Sequence, residues 1–149
     1  MSEPIEPGGF FSIERSPNPG VHGSYAELED IAPVEFVPGL TFTPILTENV
    51  LVNFVHYEPG TVVPLHSHAE SQITFVVDGE FEFDLGGDIR VMRRGTVAVI
   101  PPWVPHAAQT RESRCLQIDV FQPPRSGLRE MIEAADRASA ETAETGAED

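Results

Sequence analysis

Between Gly60 and His106 the chain carries two histidine clusters whose spacing leaves few architectures open. The first begins at Gly60, runs through Val62-Val63-Pro64-Leu65 into His66-Ser67-His68, meets Gln72 after three more residues and closes at Gly79. Histidines two apart on a strand face the same side of a sheet. The second begins at Gly95, passes Pro101-Pro102-Trp103-Val104-Pro105 and ends at His106. If the imidazoles of His66, His68 and His106 meet the amide oxygen of Gln72 at one point, they make a mixed nitrogen/oxygen metal site.

The surrounding sequence reads as short strands separated by turn residues, which means an all-β sandwich or barrel. Strands are expected on either side of Pro38-Gly39 between Val34 and Phe42, over Asn49–Tyr57, and over Gln72–Val77, the last ending in a tight turn at Asp78-Gly79. Phe81, Phe83 and Leu85 then alternate with Glu80, Glu82 and Asp84, a strand with one wet face. Gly86-Gly87 turns the chain back into Ile89–Met92; Thr96–Ile100 and Arg114–Phe121 complete the set. His56 is expected to be packed or barrel-lining, and His22 to be a solvated loop residue. Past the strands, Leu128, Met131, Ile132 and Ala135 form one apolar helical stripe, with Ser126 as N-cap. The expected organisation is an N-terminal arm over 1–33, a barrel over 34–125, and a helix with an acidic disordered tail over 126–149. Phe10-Phe11 and the helix stripe are apolar surface on the extensions, from which a homodimer is expected.

The two clusters resemble the paired motifs of the cupin family. Gly60, His66, His68, Gln72 and Gly79 occupy the places of the first motif; Gly95, Pro101 and His106 match the second, with Trp103 and Thr110 in its Gly and Asn places. The resemblance covers about residues 40 to 125 and implies a small jelly-roll barrel. It also implies that His66, His68, Gln72 and His106 are ligands of one divalent transition metal ion (Ni, Mn, Fe, Co or Zn), among which ligand type does not choose. Most metal cupins use Glu where this chain has Gln72. A neutral amide leaves the ion's charge undiminished, which favours polarising a substrate oxygen over oxygen activation.

Composition removes other classes. A net charge of −15 makes nucleic acid an unsuitable partner. All nine basic residues are Arg, so lysine Schiff-base chemistry and a phosphate-loop lysine are excluded. Cys115 is the single cysteine, read as a buried inert thiol. The N-terminus lacks the apolar run of a signal peptide, and no stretch approaches the ~20 apolar residues of a membrane helix. A cytoplasmic protein without membrane association is expected.

A second constellation lies on the last strand, where Asp119, Phe121 and Arg125 follow one another. Asp119 and Phe121 share a face. An inward Asp119 is costly unless paired, either in an ion pair with Arg125 or as an acid/base beside a metal with Arg125 gripping a substrate carboxylate. With the Gln ligand, this Asp-x-Phe-x3-Arg pattern resembles the pectin-degradation cupins of the KdgF type, which open 4,5-unsaturated uronates into keto sugars. That resemblance implies catalytic roles for Asp119 and Arg125, substrate contacts for Phe121 and Arg125, and a small carboxylate-bearing substrate for an isomerase or lyase. A metal-dependent dioxygenase, a natural-product cyclase and a non-catalytic ligand-binding cupin are the alternatives.

Overall fold

The computed structural model describes residues 12–146, so Phe10-Phe11 lies outside the described residues. A short 3-10 turn at Leu28–Asp30 precedes the strands β1 (Val34–Val37), β2 (Leu40–Leu46), β3 (Leu51–Tyr57), β4 (Val62–His66), β5 (Ser71–Leu85), β6 (Asp88–Arg93), β7 (Val97–Ile100), β8 (His106–Gln109) and β9 (Cys115–Gln122), and the helix α1 (Ser126–Gly146) follows. The strands bond in the order β1-β2-β3-β9-β5-β8-β4, with β6 and β7 also on β5. The result is a jelly-roll barrel, preceded by the 3-10 turn and followed by the C-terminal helix.

β5 is the hub. Its first half pairs with β9 and β7, its second half with β6 and β8. The tight turn expected at Asp78-Gly79 does not form; the strand runs straight through it. The register slips between Val76 and Asp78, and Gly79 takes φ 78°. A turn and a bulge both call for positive φ, so the dipeptide alone does not separate them. The neighbour decides: β9 stays paired through the corner, and a Cβ on Gly79 would strike the Arg114 carbonyl. The bulge bends β5 from one sheet into the other and switches its inward set from Gln72, Thr74 and Val76 to Phe81 and Phe83. The Gly86-Gly87 turn forms as expected, both residues having positive φ and closing Leu85 onto Asp88.

Strict alternation sorts β3 and β9. Leu51, Asn53, Val55 and Tyr57 point inward, as do Cys115, Gln117, Asp119 and Phe121. His56 therefore faces out and is exposed, not packed or barrel-lining. On the outer face Val52, Val120, Ile73 and Val99 stand in one cross-strand row, and Phe54, Ile118, Phe75 and Val97 in the next. Ile73, Val97 and Val99 on this face are 44%, 58% and 63% exposed.

α1 lays Leu128 and Ile132 against the barrel, with Met131 and Ala135 packed beside them. The stripe expected for a partner or the barrel is thus covered by the barrel. Ser126 is the first helical residue and not the cap; Arg125 fills that position, its carbonyl accepting the Arg129 N–H at 2.9 Å. The helix continues to Gly146, through residues where a disordered tail was expected. Ala and Glu are strong helix formers, and the Thr142 and Thr145 hydroxyls bond back to the Ala138 and Glu141 carbonyls. No helix among the described residues is long and apolar enough to cross a membrane.

Candidate metal centre

His66 at the end of β4 and His106 at the start of β8 are cross-strand partners. His68 arrives differently, because β4 stops at His66. The shared-face rule therefore does not bring His66 and His68 together; a loop does. That loop is pinned by the Trp103 amide, which donates to the His68 carbonyl at 2.8 Å. Trp103 sits in the glycine place of the second motif and keeps the positive φ, 68°, that a glycine would take easily. The three ring centroids are 4.3 to 5.9 Å apart, and their ligand atoms lie within 4.8 Å of one another. His66, His68 and His106 are thereby positioned to bind a metal ion.

The tautomers are set by the backbone. Each Nδ1 bonds a carbonyl: His66 that of Pro64 at 2.8 Å, His68 that of Glu70 at 3.0 Å, His106 that of Val104 at 2.9 Å. A proton on each Nδ1 leaves each Nε2 with its lone pair, as a metal ligand requires. Burial lowers the pKa of His68, and that of His106 to about 4, so both rings are neutral near pH 7. The arrangement fits a cation in two further ways. His106 Nε2 is buried without a hydrogen-bond partner among the described residues. His68 Nε2 lies 3.0 Å from Gln72 Oε1, so two lone pairs face one another. A cation shared between those two lone pairs would relieve the opposition.

Register builds the rest of the site. Gln72, Phe121 and Leu51 form one inward row across β5, β9 and β3; Thr74, Asp119 and Asn53 form the next; Val76, Gln117 and Val55 the third. Gln72 is anchored from its amide nitrogen, which donates to Thr74 Oγ1 at 2.8 Å and to Asp119 Oδ1 at 3.1 Å. Its oxygen is left to face the histidines. Asp119 Oδ1 also accepts from Thr74 Oγ1 at 2.6 Å and from Gln117 Nε2 at 3.1 Å, whereas Oδ2 accepts only from Gln117, at 3.2 Å. Burial pushes the Asp119 carboxyl up to about 6, against the opposing pull of those hydrogen bonds and of Arg125.

The structure separates the two readings of Asp119 and Arg125. Among the described residues no ion pair joins them. The Arg125 guanidinium instead lies 5.9 Å over the Phe121 ring, without a hydrogen-bonded partner among the described residues. Phe121 in turn stands edge-on to His68 at 5.7 Å. His66, Gln72, His106, Asp119, Phe121 and Arg125 line one cavity inside the barrel, and Leu128 of α1 closes one side. Thr74, Asn53 and Tyr57 belong to the same polar interior and escaped the sequence reading. Their signal was parity: Asn53 and Tyr57 fall in phase with Leu51 and Val55, and Thr74 with Gln72 and Val76. Thr110, in the Asn place of the second motif, is away from the histidines; its hydroxyl donates to the Glu58 carbonyl at 2.6 Å and accepts the Thr61 N–H at 3.0 Å.

Residues 53–120 match the family described as "Cupin domain". Among solved structures, KdgF from Halomonas sp. is 29% identical with a TM-score of 0.67, covering 72% of this chain and 99% of that one. An RmlC-like cupin from Shewanella frigidimarina is 25% identical at the same TM-score, covering 72% and 96%. A gentisate 1,2-dioxygenase from a Streptomyces species is 33% identical over 73 residues, 48% of this chain and 20% of the dioxygenase. The chain thus spans about a fifth of the length of the curated relatives it matches.

Proposed function

We propose that this chain, whose residues 53–120 match the cupin domain and whose barrel is similar to that of KdgF, is a metal-dependent isomerase or lyase that acts without redox change on a small carboxylate-bearing substrate, of which a 4,5-unsaturated uronate is the best candidate. His66, His68, Gln72 and His106 hold the divalent ion, which supplies Lewis-acid polarisation of a substrate oxygen. The observation that carries the reading is a buried carboxyl tied to the histidines through Gln72, and a cation lining the same cavity with no salt bridge among the described residues. Arg125 grips the substrate carboxylate, for which its planar fork is suited. Phe121 sets the height of that grip by carrying the guanidinium on its face.

Asp119 moves the proton. Thr74, Gln72 and Gln117 fix Oδ1, so Oδ2 is the oxygen that takes and returns it. In a uronate the anomeric hydroxyl gives up a proton and the bond from carbon 1 to the ring oxygen breaks. Carbon 4 of the resulting enolate then takes a proton. The product is an aldehyde and a ketone, with no atom or electron gained. Acid/base catalysis of this kind contributes ~10²–10⁴-fold, so Asp119→Asn is expected to lose that much turnover. Arg125→Ala is expected mainly to raise KM. The test is anaerobic incubation with a 4,5-unsaturated uronate, following loss of its enol-ether absorbance. Strict dependence on oxygen for whatever substrate proves active would overturn the class. The 33% match to gentisate 1,2-dioxygenase over 48% of the chain makes a dioxygenase the second reading, which oxygen uptake with gentisate in air addresses.

A further inference from the structure

Two amides deeper in the barrel have oxygens that the proton chemistry above does not use. Asn53 is 2% exposed, lines the cavity, and its Oδ1 has no hydrogen-bond partner among the described residues. Gln117 is 3% exposed; its nitrogen is committed to Asp119 and to the Tyr57 hydroxyl at 3.2 Å, and its Oε1 is unpartnered in the same way. The orientation of Gln117 is fixed, because turning the amide would set oxygen against the Asp119 carboxylate. Asn53 is held by no such bond, and either way round it offers the cavity an NH2 group to donate and a carbonyl oxygen to accept.

Buried amide oxygens without partners are rare in folded proteins because each forfeits its hydration. Two of them lining one cavity beside a reactive carboxyl mark places where something else supplies the donors. Their position is informative. Asn53 sits across from Asp119, one inward row from Gln72 and Phe121, which is about 7 Å of strand. A sugar ring lying beside Phe121 would reach from the Gln72 row to the Asn53 row. What reaches Asn53 and Gln117 must donate hydrogen bonds. An apolar or aromatic acid has none to give, whereas a hydroxylated acid does.

We infer that Asn53 and Gln117 are specificity-determining residues that read hydroxyl groups on the part of the substrate remote from its carboxylate, so that the pocket selects polyhydroxylated acids over deoxy or aromatic acids of the same size. The inference rests on the carboxylate-binding role given to Arg125 and deepens it. A site built around hydrogen bonds rejects analogues that lack the partner far more strongly than an apolar pocket rejects a missing methylene.

The test uses the metal-loaded protein and calorimetric binding of D-galacturonate, its 2-deoxy and 3-deoxy analogues, and benzoate, with thermal melts alongside. The parent is expected to bind galacturonate at least tenfold more tightly than one of the deoxy acids and than benzoate. Asn53→Leu, which matches the amide in shape, is expected to erase much of that discrimination while leaving Tm unchanged or higher, since it removes an unpaired acceptor. A purely structural Asn53 would move the other way, its loss lowering Tm. Equal affinity of the parent for all four acids overturns the inference while carboxylate binding stands, as does discrimination that survives Asn53→Leu intact. Binding of none of the four acids overturns the proposed substrate class and the inference together.

Discussion

Thr74→Val removes one hydroxyl and almost nothing else. Thr74 is fully buried, and its Oγ1 joins Asp119, which it reaches at 2.6 Å, to Gln72, from which it accepts at 2.8 Å. Valine keeps the volume and the β-branch, so no cavity opens. The lost bond is to a carboxylate and is worth about 1.5–3 kcal/mol. The Gln72 amide nitrogen retains Asp119 Oδ1 at 3.1 Å and is not orphaned. For a chain of this length, about 2–4 °C of Tm accompanies each kcal/mol, so a fall of roughly 3–12 °C is expected. Turnover should fall by about tenfold or more, because Asp119 and Gln72 lose their common tether, while bound metal stays at the parent level. Thr74→Ser keeps the hydroxyl and should preserve turnover, at a cost of about 0.5–1.5 kcal/mol for the lost methyl. Scanning calorimetry, metal analysis and kcat on the three proteins make the comparison. A valine variant as active as the parent, or a serine variant as impaired as the valine one, would refute the network.

Gly79→Ala places a side chain at φ 78° against the Arg114 carbonyl; about 1–2 kcal/mol for the left-handed backbone plus the contact should lower Tm by several degrees, and a parental melt would contradict the bulge. Burial pushes the Cys115 thiol up to about 11 and raises Tyr57 well above its ordinary value. A folded pKa above the unfolded one, about 8.5 for Cys, means that this stability is fully present at lower pH and is lost as pH rises towards about 11; urea melts should show that slope, reduced in Cys115→Ala. The apolar rows on the outer sheet face are expected to pair in a homodimer, so light scattering should report a dimer for the parent and a monomer for Val99→Glu; a monomeric parent at micromolar concentration would refute it.

How far the sequence carried the fold can be traced to particular residues. Alternation placed Phe81 and Phe83 correctly and set Asp119 on one face with Phe121, because a strand's phase is local and one buried face enforces it. It failed at Asp78-Gly79, where local chemistry suits a turn and only the passage of β9 alongside makes it a bulge. His66 and His106 were legible from motif spacing. The approach of His68 was not, since it depends on a hydrogen bond from Trp103, distant in sequence, to a loop carbonyl. The inward phase of Asn53 and Thr74 was legible, but their part in the site was not, for a related reason. A single polar residue in an apolar strand looks like noise until cross-strand register sets it beside Asp119. The helix past Ser139 was underestimated because acidic, alanine-rich sequence serves both a solvated tail and a helix.

The most direct test is metal content. Protein purified without chelator should carry about one divalent transition ion per chain by elemental analysis, as expected for three imidazoles and one amide gathered at one point. His66→Ala and His106→Ala should fall well below that level, whereas Asp119→Asn should keep it, because Asp119 supports Gln72 without being a ligand. Undiminished occupancy in both histidine variants would contradict the metal centre on which the account stands.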